Sequence, residues 1–326
     1  MKGDPLVVSV LIFDGHCDVL YRLWQEKNPS LFFQKKSPLH CSYERLRQGS
    51  VKVQTLAVFV PDHVPWTQKT AEALKMINIL HHHTLREEKN IALIRPDTPW
   101  PHIEDDDGRL YVLLALEGAE SIGDDLTLLH LFYELGVSAL GLTWNQRNLV
   151  ADGVGEPRPG GLSRFGREVV QELNRLKMAI DVSHLAEPAF WDVLELSEQP
   201  VMASHANAKK LCSHPRNLSD EQLVAIFEQK GMVGINFVSF FLEQGKKADM
   251  DSILRHLDHM LHLGGENHIG FGSDFDGTDA LASPLFHSGH WGRLVEECAK
   301  RFGDDLVEKL FFANWQNYYL RIRKAY

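Results

Sequence analysis

The amino-acid sequence predicts an α/β protein folded as a (β/α)8, or TIM, barrel. Eight short segments, most of them rich in β-branched and other apolar residues, alternate with longer segments whose apolar residues recur at three- and four-residue steps. The short segments are apolar almost throughout, which is typical of parallel strands buried on both faces. The length of 326 residues is slightly more than such a barrel commonly needs.

These patterns place each element in turn. The predicted strands are Val8–Phe13, Val51–Val60, Tyr111–Leu116, Ala139–Thr143, Met178–Val182, Val201–Ser204, Met232–Phe237 and His268–Gly272. The predicted helices are Thr67–Glu88, Leu126–Leu135, Arg164–Leu176, Glu187–Leu196, Asp220–Gln229 and Met250–Leu263. No GxGxxG motif follows the first strand, which disfavours the alternative of a doubly wound open sheet. We expect residues 1–326 to form a single barrel domain, with further helices from about residue 290 packed outside it.

Composition excludes several classes of function. The formal net charge is −10, and no compensating basic block could neutralise the phosphates of a nucleic acid. The apolar run near the N-terminus spans about seven residues, too few for a signal-peptide core or a membrane span. The four cysteines show no CxxC spacing. We therefore expect a cytoplasmic protein with reduced thiols, no membrane anchor and no nucleic-acid partner.

Ionisable side chains follow five of the predicted strands. They are His16, Asp18, Glu117, His184, His205 and Asp274. In a TIM barrel the C-terminal ends of the strands form the active-site face, so these side chains should meet there. Any one of them could be an ordinary hydrogen-bonded residue, but the whole set favours a metal site. Three imidazoles and two carboxylates suffice for two divalent cations if one carboxylate bridges them. Glu117 lies between the other ligands in strand order and is the natural bridge, which leaves Asp274 to transfer protons.

Six sequence motifs resemble those of a known family. They are residues 14–18 (DGHCD), 116–118 (LEG), 181–184 (DVSH), 203–206 (ASHA), 215–218 (PRNL) and 272–277 (GSDFDG). The chain resembles the membrane (renal) dipeptidase family of dizinc peptidases, which belongs to the metal-dependent amidohydrolase-type barrels. The motifs occur in the family's order and span most of the chain.

The resemblance implies a metal centre with two Zn²⁺ per chain. By this similarity His16 and Asp18 bind one zinc, His184 and His205 bind the other, and Glu117 bridges them. The implied reaction is hydrolysis of dipeptides, including L,D-dipeptides, by a hydroxide that bridges the two zincs. Family members are often homodimers.

The resemblance also implies the groups that handle the substrate. Asp274 would assist the hydroxide and pass a proton to the leaving nitrogen. Arg216, in the loop after the sixth predicted strand, would bind the substrate carboxylate, which suits its forked guanidinium.

Two positions depart from the family pattern. Residue 17 is cysteine where asparagine is common, and its side chain should point away from the metals. Trp144 aligns with a histidine that contacts the substrate in animal members, and an indole N–H donates a hydrogen bond without carrying charge. Asn145 or Arg147 is an alternative donor. This departure keeps open another amidohydrolase activity, on a lactone or an N-acyl amino acid; a non-catalytic binding barrel is the third alternative.

Other conspicuous segments are interpreted as structural. Consecutive histidines at 81–83 point about 100° apart on a helix and cannot converge on one ion. His256, His259 and His262 recur every three residues and are predicted to form an exposed polar stripe. Residues 105–108 (DDDG) are predicted to form an acidic turn, and the glycine-rich residues 153–161 are predicted to form part of the site wall.

Overall fold

The computed structural model describes residues 10–87, 89–103 and 107–324. All the strand pairings of its sheet are parallel. The strands of the described residues are β1 (Ile12–Cys17), β2 (Val51–Phe59), β3 (Ile91–Leu93), β4 (Leu110–Glu117), β5 (Val137–Gly141), β6 (Ala179–Asp181), β7 (Met202–Ala203), β8 (Met232–Ile235) and β9 (Ile269–Phe271). Each of the last seven predicted strands corresponds to one of these, with ends that differ by at most two residues.

Eight of the strands close into a barrel. Their order is β2-β1-β9-β8-β7-β6-β5-β4, and β2 also pairs with β4, so the sheet has no free edge at this point. The closing pair runs in continuous register from Val53 opposite Tyr111 to Phe59 opposite Glu117. The remaining strand, β3, pairs with the start of β4 and was not predicted from the sequence. The predicted barrel is confirmed.

Helices follow most of the barrel strands. They are α1 (Val19–Glu26), α2 (Tyr43–Gln48), α3 (Lys69–Ile79), α4 (Leu85–Glu87), α5 (Leu126–Glu134), α6 (Arg164–Leu176), α7 (Glu187–Leu196), α8 (Asp220–Glu228), α9 (Ser239–Leu242), α10 (Met250–His262), α11 (Trp291–Phe302), α12 (Asp304–Glu308) and α13 (Asn314–Lys324). Side-chain caps begin several of them; Ser219, for example, accepts a hydrogen bond from the Gln222 backbone in a capping box. Five of the predicted helices are confirmed, with α6 and α7 at the predicted bounds. The helix predicted over Thr67–Glu88 is instead divided into α3 and α4 by a π-helical turn at Leu80–Thr84, and residue 88 lies outside the described residues.

The first strand lies further along the chain than predicted. It runs from Ile12 to Cys17, whereas the prediction was Val8–Phe13, of which residues 8 and 9 lie outside the described residues. Its register on β2 shifts between Asp14 and Cys17, which marks an irregularity such as a β-bulge. Backbone pairing does not depend on side-chain polarity, so the strand continues into the polar motif. His16 therefore lies within β1 and not after it.

The interior of the barrel below the site is filled by one cluster of buried side chains. The members from seven different strands are Phe13, Val53, Tyr111, Leu113, Ala115, Ala139, Ala179, Met202 and Met232. In a closed barrel, only side chains that point inward can meet in this way. The cluster also contains Trp315, Tyr318, Tyr319 and Ile322 from α13. The expectation that the C-terminal helices all pack outside the barrel is thus wrong for α13.

Small residues on the strands admit the α13 side chains. A Cβ at Gly15 would lie 2.4 Å from Cζ2 of Trp315, and one at Gly270 would lie 2.6 Å from its Nε1. The indole N–H donates a hydrogen bond to the carbonyl of Phe271 at 3.0 Å. A single large side chain therefore fills space that small strand residues leave open.

Candidate metal centre

The end of β1 carries His16, and Asp18 directly follows the strand; both place buried polar side chains at one end of the barrel. The distance from His16 Nε2 to Asp18 Oδ2 is 3.4 Å. Asp18 directly precedes α1, and its backbone N–H donates to the carbonyl of Phe275 at 2.8 Å, which ties the end of β1 to the loop after β9. His16 Nε2 and Asp18 Oδ1 are buried without a hydrogen-bond partner among the described residues. Buried polar atoms normally have partners, so these two atoms fit the donor set of a bound cation.

Glu117, the last residue of β4, lies between the other groups. Its Oε1 lies 3.0 Å from His184 Nε2 and 3.6 Å from His205 Nε2. Its Oε2 lies 3.6 Å from His16 Nε2. The two oxygens of one carboxylate thus face two separate sets of nitrogen atoms.

His184 and His205 direct their Nε2 atoms toward one another, 2.9 Å apart. The Nδ1 of His184 lies 2.8 Å from Asn145 Oδ1, and the Nδ1 of His205 lies 2.7 Å from Ser204 Oγ. Burial lowers the pKa of both imidazoles well below the usual value, so both are neutral. When the proton of each ring sits on Nδ1, two Nε2 lone pairs face each other, an arrangement that a cation stabilises.

The carboxylates of the site are crowded. Burial, and next the carboxylate of Asp18, raise the pKa of Glu117 well above its usual value. The same two causes raise the pKa of Asp274 to about 6. Burial by itself lowers the pKa of His16, but Glu117 and Asp18 outweigh it and raise this pKa well above its usual value. The carboxyl groups of Asp18, Glu117 and Asp274 thus concentrate negative charge in one place. A bound cation would balance this charge.

Two groups of ligand atoms lie close enough to hold a metal ion. One comprises His16, Glu117 and His205, and the other comprises His16, Asp18 and Asp274, with the atoms of each group within 4.8 Å of one another. His184 lies outside these groups but faces Glu117. Imidazole nitrogen and carboxylate oxygen are the donors that zinc accepts, so the residues fit the expected metal.

Asp274 lies at the site in a conformation that few residues adopt. Its φ is +62°, in the left-handed region. Asn236, just after β8, donates to Asp274 Oδ2 at 2.9 Å. A Cβ at Gly277 would lie 2.4 Å from Asp274 Oδ1 and 2.5 Å from Asp18 Oδ2, so only glycine fits there. Sequence reasoning missed Asn236, although a polar residue near the end of the apolar predicted strand Met232–Phe237 was a signal that could have identified it.

Arg216 places a buried cation beside the carboxylates. Its Nη2 donates to the carbonyl of His205 at 2.9 Å, and its Nε is buried without a partner among the described residues. Burial lowers the pKa of the guanidinium to about 10, so it stays charged at neutral pH. Its guanidinium carbon lies 5.6 Å from the ring centre of Phe241.

The site opens into a cavity of about 550 Å³. Trp144 and Asn145 both line it, and the ring of Trp144 lies 6.0 Å from that of His184. The Oδ1 of Asn145 is already engaged with His184. Arg147 does not line the cavity; it forms two hydrogen bonds with Asp152. Among the described residues, the structure therefore brings together every predicted site residue, but not the alternative donor Arg147.

Two carboxylates that the sequence reasoning did not single out organise the loops. Asp181 Oδ1 accepts from the backbone N–H groups of Ser183 and Ser204, beside the two histidines. Asp14 Oδ1 likewise accepts a hydrogen bond from the backbone N–H of Ser273. Asp181 lies three residues before His184, and Asp14 lies two residues before His16. This position shortly before a site residue is the signal by which the sequence could have identified them.

The structure confirms only part of the predictions for the remaining segments, namely the histidine stripe, the acidic turn and the glycine-rich site wall. His256 is 1% exposed, so the predicted exposed stripe is wrong for this residue; His259 is half-buried and His262 is exposed. The predicted site wall is confirmed for Val154 and Gly155, which line the cavity. Residues 105 and 106 of the predicted acidic turn lie outside the described residues.

A closed parallel barrel with histidine and carboxylate side chains gathered at its strand ends is typical of metal-dependent hydrolases of amidohydrolase type. The chain belongs to the membrane dipeptidase family (peptidase family M19), whose profile matches residues 2–325. It is therefore a metallodipeptidase.

Individual relatives agree with this assignment. The dipeptidase verJ of Clonostachys rogersoniana is 31% identical over 323 residues, covering 92% of this chain and 81% of its own. A metallopeptidase from Rhodobacter sphaeroides, solved with a phosphinate mimic of the dipeptide L-Ala-D-Ala, is 31% identical with a TM-score of 0.88, covering 96% of this chain and 99% of its own. A second solved dipeptidase of family M19 is 33% identical with a TM-score of 0.89, covering 97% of this chain and all of its own.

Among the described residues, no helix combines the length and the apolar character needed to cross a membrane.

Proposed function

We propose that this chain is a zinc-dependent dipeptidase with two Zn²⁺ per chain. The observation that carries the proposal is the position of Glu117, whose two carboxylate oxygens face different sets of imidazole nitrogens. His16 and Asp18 would hold one cation, His184 and His205 the other, and Glu117 both. The orphaned Nε2 of His16 and Oδ1 of Asp18 support this assignment.

We propose that the substrates are dipeptides with a free C-terminal carboxylate, including those whose second residue is D. The Rhodobacter relative, solved with a mimic of L-Ala-D-Ala, supports this class. Arg216 supplies the charge that recognises the carboxylate, because it is buried, cationic and has an unpartnered Nε.

Bound zinc ions would lower the pKa of a water molecule and draw electrons from the scissile carbonyl. Asp274 would take a proton from the attacking water and deliver it to the leaving nitrogen. Burial and Asp18 raise its pKa to about 6, close to the value that suits proton transfer at neutral pH. Asn236 orients the carboxylate by donating to Oδ2, which leaves Oδ1 for this transfer.

Metal analysis and a substrate panel test the proposal. Purified protein loaded with zinc should contain close to two ions per chain and should hydrolyse L,L- or L,D-dipeptides. The variant Glu117→Gln should lose metal, and activity should fall by roughly a thousandfold or more because the bridge is broken. The variant Glu168→Gln, on the exposed face of α6, should retain both.

Three results would contradict the proposal. One is a stoichiometry of one ion or none; another is full activity of Glu117→Gln. The third is failure to cleave any dipeptide while a lactone or an N-acyl amino acid is turned over.

A further inference from the structure

Three aromatic side chains form a continuous row along one side of the cavity. The ring centres of Tyr21 and Phe59 are 5.4 Å apart, and those of Phe59 and Trp144 are 5.1 Å apart. All three side chains are half-buried and line the cavity. We call Tyr21, Phe59 and Trp144 the aromatic row. It ends 6.0 Å from the ring of His184, directly beside the candidate metal centre.

The barrel order places Phe59, the middle ring of this row, opposite Arg216. Around the ring, the strands run β2, β4, β5, β6, β7, β8, β9, β1, so β2 and β7 face each other across the barrel. Phe59 ends β2 and Trp144 follows β5, on either side of Glu117 at the end of β4. Arg216 follows β7. A substrate held by its carboxylate at Arg216, with its peptide carbonyl near Glu117, therefore extends its N-terminal residue toward the row.

Among the described residues that line the cavity, no charged side chain is left over to pair with a charged side chain of the substrate. The charged side chains among the described lining residues are Asp18, Glu117, Asp274 and Arg216. The first three belong to the candidate metal centre, and the fourth is the proposed partner of the substrate carboxylate. A charged side chain placed against the aromatic row would lose water without gaining an ionic partner, which is costly. An apolar side chain there would bury its own surface and that of three rings.

We propose that the aromatic row binds the side chain of the substrate's N-terminal residue, and that the enzyme selects dipeptides in which this residue is apolar and large. This inference rests on the proposed dipeptidase function and adds the residues that determine specificity. A hydrophobic pocket gains about tenfold to a hundredfold in kcat/KM between a glycine and a residue with several carbons. We expect at least that order of preference for Leu and Phe over Gly at this position.

Steady-state kinetics on five dipeptides tests the inference. All have C-terminal D-Ala, and the N-terminal residue is Gly, Leu, Phe, Asp or Lys. For the unaltered protein, kcat/KM should be highest with Phe or Leu and lowest with Asp and Lys. In Trp144→Ala, the ratio of kcat/KM with N-terminal Phe to kcat/KM with N-terminal Gly should fall roughly tenfold, because one ring of the aromatic row is removed. Trp144→Phe should keep most of the ratio, and Phe59→Leu should reduce it by a smaller factor.

Matched control variants distinguish loss of the aromatic row from general damage to the protein. Phe240→Ala removes an aromatic ring that also lines the cavity but follows β8, so the ratio of Phe to Gly should stay within about threefold of its original value. Leu131→Ala, on the exposed face of α5, should change neither ratio nor rate.

Failure of this inference differs from failure of the proposed function. If dipeptides are hydrolysed but Asp and Lys are used as well as Phe, the inference is overturned. An unchanged ratio in both Trp144→Ala and Phe59→Leu also overturns it. No hydrolysis of any dipeptide by the zinc-loaded protein would overturn the proposed function itself, and this inference with it.

Discussion

Asn145 contacts the candidate metal centre only through another residue, His184. Its Oδ1 lies 2.8 Å from Nδ1 of His184, so the ring donates its proton there and keeps Nε2 free. The sequence analysis named Asn145 as a substrate-binding residue. The hydrogen bond instead favours a positioning role, in which Asn145 fixes the tautomer and the angle of the imidazole.

Replacing Asn145 with Leu should therefore weaken zinc binding. We expect about 10- to 100-fold lower affinity, as is usual when the partner of a metal-binding imidazole is removed. Competition with a chromogenic chelator measures this without any assay of activity. Asn267→Leu, at an exposed position, serves as the control and should leave the affinity unchanged. Equal affinities for the two variants would contradict the positioning role.

Among the elements, α13 supplies side chains to the barrel interior together with the strands. Its residues Trp315, Tyr318, Tyr319 and Ile322 join the inward-facing side chains of the strands in one buried cluster. Trp315 is 1% exposed and lies against Gly15 of β1, the strand that also carries His16. The floor of the barrel and the candidate site above it thus share a strand.

The variant Trp315→Ala should be strongly destabilised. Loss of a large buried aromatic side chain costs about 3–5 kcal/mol, because the strand glycines cannot fill the resulting cavity. Urea unfolding followed by circular dichroism gives the free energy of unfolding. Trp191→Ala, at a position that is 39% exposed, should cost far less and is the matched control. A cost below about 1 kcal/mol for Trp315→Ala would show that α13 is not part of the core.

At the scale of the whole molecule, His256 connects three separate segments. Its Nδ1 accepts from the backbone N–H of Ala208 at 3.0 Å, and its Nε2 donates to the carbonyl of Leu242 at 3.0 Å. The first bond requires a neutral ring. Burial lowers the pKa of His256 to about 4, from a usual value of 6.5.

The contribution of His256 to the stability of the protein should therefore fall in mild acid. Between pH 6.5 and pH 4 the unfolded chain binds a proton at His256 that the folded chain does not, so the contribution is complete above pH 6.5 and decreases as the pH falls. The loss from this residue amounts to about 3 kcal/mol, since one pKa unit corresponds to about 1.4 kcal/mol.

Unfolding free energies at several pH values check this expectation. His256→Gln should be less stable at neutral pH, but its stability should fall less steeply between pH 6.5 and pH 4 than that of the unaltered protein. The control His82→Gln alters an exposed helical position and should leave the slope unchanged. Parallel curves for His256→Gln and the unaltered protein would refute the role of His256.

Hydrophobic patterns in the amino-acid sequence were enough to predict the alternation of strands and helices, and with it most of the residues of the candidate site. Hydrophobic periodicity reports whether a face is buried, and polar residues after buried strands report the active-site end of a parallel barrel. For this reason His16, Glu117, His184 and His205 could be named, and the structure brings them together.

The partner of each buried group, by contrast, depends on how the elements pack in three dimensions. Periodicity did not distinguish the buried His256 from the exposed His262, because both fall at helical spacing and differ only in what packs against them. It also did not show that Trp315 enters the barrel, since that depends on glycines about 45 and 300 residues away in the sequence. Burial is a property that local sequence predicts, whereas the choice of a neighbour depends on how distant segments meet.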